Sequence, residues 1–71
     1  MFEVVNQEKM PSRVIYTIVD FRSAEVGRAI VSYTKRKSYW RYISRTGKRI
    51  SNKETIRKMT DAISRFHDAT N

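Results

Sequence analysis

The chain contains no cysteine, one proline, two glycines, one histidine and seven acidic residues among 71. Without cysteine there are neither disulfides nor thiolate metal ligands. A single histidine falls short of the three or four nitrogen and sulfur ligands of a conventional zinc site, and no cofactor motif is present. No apolar run approaches the roughly 20 residues that span a bilayer, so no membrane association is expected. The first residues, Met1-Phe2-Glu3-Val4-Val5, have no basic segment followed by an apolar one, which reads against a secretory leader. A cytoplasmic location is the expectation, in keeping with the missing cysteines.

What is present is positive charge, unevenly placed. Residues 1–34 carry Lys9, Arg13, Arg22 and Arg28 against Glu3, Glu8, Asp20 and Glu25, and sum to zero. Residues 35–71 therefore supply the whole net charge of +8. The stretch 35–49 holds seven cations and no acid: Lys35, Arg36, Lys37, Arg41, Arg45, Lys48 and Arg49. Tyr39, Trp40 and Tyr42 lie among them. Concentrating like charge costs a small fold self-repulsion, so a polyanionic partner is the natural expectation.

Seventy-one residues make one domain with a thin core. Residues 2–6 read as a short strand, and 7–12, with Pro11, as a loop. Arg13 to Phe21 is rich in β-branched residues on both parities, which predicts a central strand covered on both faces or nearly so. Residues 26–34 are ambiguous. Val26, Ala29, Ile30 and Tyr33 have helical spacing behind Ser23 as a possible cap, but Gly27 and the run from Ile30 to Thr34 favour a strand. Ser38 to Ser44 is the next strand. Arg45 to Lys48 reads as a turn with Gly47 at positive φ, and 48–50 as a short final strand.

Ser51 and Glu54 have capping-box spacing, with Ser51 as N-cap. Ile56, Met59, Ile63 and Phe66 follow as one apolar stripe, predicting a helix over about 52–68. The stripe reads as core, with a dimer seam as the lesser alternative. Glu54–Lys58 and Asp61–Arg65 are expected i,i+4 pairs. The fold class is α+β: a three- to four-stranded antiparallel meander within residues 2–50, with one C-terminal helix on one face.

Strand alternation separates Tyr39, Arg41, Ile43 and Arg45 from Trp40, Tyr42 and Ser44. The second set is the more apolar and is placed inward, with Trp40 against Met59 or Ile63. Tyr39, Arg41 and Arg45 then point outward beside Lys35, Arg36, Lys37, Lys48 and Arg49. Lys53 joins them at the helix start, where free amides attract anions. The bland readings are a solvated edge strand kept from aggregating by its lysines, and ordinary helix capping.

The order over about residues 13–66 resembles, in architecture, the strand–strand–strand–helix part of double-stranded-RNA-binding domains. In those domains, basic residues at the start of the last helix meet phosphates. It also resembles the three-strand-plus-helix arm-binding domains of phage integrases, which lay a sheet in the DNA major groove. The first family has a further N-terminal helix absent from this sequence, and the likeness fixes no residue roles.

The expected function is nucleic-acid binding, to DNA or RNA, as a monomer or dimer. Lys35, Arg36, Lys37, Arg41, Arg45, Lys48, Arg49 and Lys53 would meet phosphates, and Tyr39 would stack or pack on sugar. The alternative is a small modulator, of the kind carried by phages and mobile elements, that docks on an acidic surface of a larger protein. His67 stands alone, with no nucleophile or second base beside it, and no enzyme activity is expected.

Overall fold

The computed structural model describes residues 1–70. Four strands, β1 (Glu3–Met10), β2 (Arg13–Val19), β3 (Glu25–Tyr33) and β4 (Ser38–Ser44), form an antiparallel meander in the order β1-β2-β3-β4. The helix α1 (Lys53–Thr70) packs on one side of it. The result is a two-layer slab of 37 × 30 × 19 Å. The ambiguous segment 26–34 is strand, as its β-branched run favours.

Two expectations about the first strands are corrected. Strand β1 extends to Met10, so the loop expected over 7–12 shrinks to a Pro11-Ser12 turn. The polar residues Gln7, Glu8 and Lys9 do not end the strand, because β1 is an edge strand with only one face against the core. Strand β2 is central, but it is covered on one face only. Tyr16 and Ile18 are buried under the helix, whereas Ile15 and Thr17 are half-buried on the open side.

The pairing registers fix which side chains share a face. Val14, Val31 and Trp40 form one row on the helix side, and Tyr16, Ala29 and Tyr42 the next. Val4, Ile18, Gly27 and Ser44 form the third. A bulge at Val5 resets the alternation of β1, so that Val4 and Gln7 both take helix-side positions. Gly27 allows β3 to lie close to β4, since a Cβ there would drive into the Ile43 carbonyl oxygen.

The turns are built by short polar side chains. Asp20 Oδ1 accepts from the amides of Arg22 (2.8 Å) and Ala24 (3.1 Å), which holds the β2–β3 turn with Ser23 at φ 64°. Thr34 Oγ1 accepts from the amides of Arg36 and Lys37 and donates to the Lys37 carbonyl in the β3–β4 turn. Gly47 takes φ 89° in the turn after β4, as expected.

The helix stripe is core. Met59, Ala62 and Ile63 are buried, with Met59 fully so, and Phe66 packs at the margin. This places the stripe on the sheet rather than in a dimer seam. The cap is Asn52, not Ser51: its Oδ1 accepts from the Thr55 amide at 2.9 Å, and Ile56 N–H donates to the Asn52 carbonyl. Moving the cap by one residue puts Glu54 at N2, where it pairs with Arg57 instead of closing a capping box.

Arg57 also reaches Asp61 at 2.9 Å, so its fork replaces both expected i,i+4 pairs. The hydrogen bond from Arg57, then its charge, holds the Glu54 carboxyl below its ordinary range. Arg65 is left to donate to the Phe2 carbonyl at 2.7 Å, which ties the start of β1 to the helix. No helix among the described residues is long and apolar enough to cross a membrane.

Candidate functional site

The helix covers one face of the sheet, and the other face is open. The registers lay four rows of side chains across it, the one nearest the β2–β3 turn being Glu3, Val19 and Glu25. One row reads Met10, Arg13, Ser32, Tyr39 and the next Glu8, Ile15, Ile30, Arg41. The third reads Asn6, Thr17, Arg28, Ile43 and continues to Arg49, which bridges Ile43 from outside β4. Ile15, Ile30 and Ile43 are half-buried by their neighbours, while Arg13, Arg28, Arg41 and Arg49 are exposed. Rows lie about 7 Å apart along a strand and neighbouring strands about 5 Å apart. The four guanidinium groups therefore spread over the face on several strands rather than crowding one edge.

The sequence-predicted residues do not form one cluster. Lys35, Arg36 and Lys37 sit in the turn at the start of β4, held outward by the Thr34 network. Tyr39 and Arg41 lie on the open face as expected. Tyr39 is 48% exposed, with the Lys37 ammonium 5.2 Å from its ring centre. Arg45 and Lys48 lie in the turn at the other end of β4, about 20 Å from the first. Ser44 orders that turn, accepting the Gly47 amide on its carbonyl and the Lys48 amide on Oγ.

The short final strand expected over 48–50 is present as the single Ile43–Arg49 bridge, with Ile50 N–H donating to the Tyr42 carbonyl. Lys53 is the first residue of α1 and so belongs to the helix layer. Its neighbour Asn52 already caps the Thr55 amide.

Two cations on the face were missed: Arg13 and Arg28. Both belong to the half of the chain whose net charge is zero, and counting by halves hid them. The acids that cancel them in the count make no ion pair with them. Glu8 shares the open face, on β1 diagonally across from Arg13 on β2, Asp20 lies in the β2–β3 turn, and Glu25 opens β3 opposite Val19. The available signal was the parity of β2 and β3, which puts Arg13 with Ile15 and Arg28 with Ile30. It needed the register to join them to Arg41. Among the described residues the ion pairs are those of Arg57 with Glu54 and Asp61, so no arginine of the open face is held in an ion pair.

Trp40 is on the helix side, as its parity predicts, but it is not a core residue. It stays 42% exposed, stacked beside Tyr16 (6.1 Å between ring centres) and Tyr42 (6.2 Å). Met59, by contrast, is fully buried. His67 Nε2 is 2.8 Å from the Tyr16 hydroxyl, so the lone histidine joins the helix to the sheet. Comparison with protein-family models, with curated proteins and with solved structures finds no match to this chain.

Proposed function

We propose that this protein binds nucleic acid, meeting phosphates with the open face of its sheet and with the two basic turns that flank β4. One observation carries the reading. Arg13, Arg28, Arg41 and Arg49 share an uncovered face and none of them is in an ion pair, although Glu8, Glu3 and Glu25 lie on the same face, and that face runs into Lys35, Arg36 and Lys37 at one end and Arg45 and Lys48 at the other. Arginine suits the task because its planar fork takes two oxygens of one phosphate. Exposed cations of one sign raise the local concentration of a polyanion and release its counterions on contact. Such contacts position the protein on the backbone and carry little sequence information.

Fluorescence anisotropy with a labelled duplex and a labelled single strand at low salt tests the reading. Arg28→Ala and Arg41→Ala each weaken binding while leaving the melting temperature near wild type, since both side chains stand in solvent. No measurable affinity for either nucleic acid overturns the reading. A nuclease-resistant acidic protein held by the same arginines would then be the better account of the charge.

A further inference from the structure

The far side of β4 carries a second feature that phosphate contacts do not use. Between β4 and the C-terminal half of α1 lies a cleft of about 320 Å³, walled by Trp40, Tyr42 and Ile63 and rimmed by Ser64, His67 and Asp68. That volume is at the small end of ligand sites and suits one planar ring system rather than a larger molecule. Trp40 and Tyr42 are nearly parallel, 13° apart, and the indole remains 42% exposed.

The polar rim is ready to hydrogen-bond. His67 uses Nε2 on the Tyr16 hydroxyl, which leaves Nδ1 for another partner. Asp68 has no ion-pair partner among the described residues. The strand edge beside the cleft is also free. Tyr42 and Ser44 make backbone hydrogen bonds to residues 48–50. Alternation along a strand points the N–H and C=O of Trp40 to the same outer side, and β4 has no neighbouring strand there.

We propose that the cleft between β4 and α1 accepts one unstacked base of a single-stranded nucleic acid, with Trp40 as its stacking partner. The inference rests on the phosphate-binding reading above and adds the strandedness to it. A strand following the edge of β4 keeps its phosphates beside Lys35, Arg36, Lys37 and Arg41 and turns a base over the edge onto Trp40. The carboxylate of Asp68 accepts from an exocyclic amine of that base and stays clear of the phosphates. A duplex cannot use the cleft, because its bases are stacked inside.

Trp40 is the single tryptophan of the chain, so its emission reports on this cleft alone. The full-length wild type is titrated with a single-stranded oligonucleotide of about 8 nucleotides and with an abasic strand of the same length. Binding is read in parallel by anisotropy. The oligonucleotide quenches Trp40 saturably, along the anisotropy curve. The abasic strand binds at least about fivefold more weakly and leaves the emission unchanged.

Ser64→Arg, at an exposed helix position, fills the cleft while adding a cation. It weakens binding of the oligonucleotide if the base enters, and tightens it if phosphates alone are met. Binding by anisotropy without quenching, or tighter binding by Ser64→Arg, overturns the cleft and leaves the phosphate reading standing. Absence of any binding by anisotropy overturns both.

Discussion

At the scale of single residues, the deciding distinction is between facing the helix and being buried by it. Trp40 has the expected parity, and its row also contains the buried Val31. It is nevertheless the outermost member of that row, on the edge strand, and the helix does not reach over it. Parity is a local property that a sequence displays. Coverage depends on where the helix crosses the sheet, which the sequence does not display. The consequence is energetic. A fully buried tryptophan truncated to alanine costs about 3–5 kcal/mol. Trp40 loses stacking on Tyr16 and Tyr42 but leaves no sealed cavity, so Trp40→Ala is expected to cost about 1–3 kcal/mol. Met59→Ala, at a fully buried site, is expected to cost more, about 2–5 kcal/mol. Urea denaturation of the two variants checks the order, and an equal or larger loss at Trp40 would contradict it.

At the scale of elements, three strands and the helix were legible, because apolar runs and a 3.6-residue stripe are strong periodic signals, while β3 was legible only as the favoured of two readings. Their ends were less so. Strand β1 runs four residues beyond its expected end at Asn6, since edge strands tolerate polar residues that a pattern reader takes for a loop. The helix start is displaced by one residue because Ser51 and Asn52 are both good caps and only backbone direction chooses between them. Asn52 wins, with its Oδ1 on the Thr55 amide and the Thr55 hydroxyl 3.3 Å away. Asn52→Ala is therefore expected to lose about 1 kcal/mol, while Ser51→Ala changes stability by no more than a few tenths. Thermal unfolding of both variants by circular dichroism decides the assignment. A larger loss from Ser51→Ala would restore the capping box.

At the scale of the whole molecule, linear charge counting and three-dimensional charge placement diverge. Counting along the chain assigns the basic surface to residues 35–53, with Lys53 inside it and Arg13 outside. Folding the meander sets β2 and β3 beside β4, so Arg13 and Arg28 join the arginines of the open face, while Lys53 goes with the helix. Register is a long-range property with no signature in composition, which is why this half of the surface was not legible. The two accounts predict opposite results for one pair of variants. If four to six cations meet phosphates, log K falls with log salt at a slope of about −3 to −5. On the open-face reading, Arg13→Ala weakens binding and lowers that slope by about one, the signature of one lost phosphate contact. Lys53→Ala leaves both affinity and slope close to wild type. On the linear reading the roles are exchanged. Titrations of wild type and the two variants at several salt concentrations separate them, because a slope counts contacts independently of how strong each one is. Equal slopes for wild type and Arg13→Ala, with a lowered slope for Lys53→Ala, would move the interface off the open face and onto the β4 turns and the helix start.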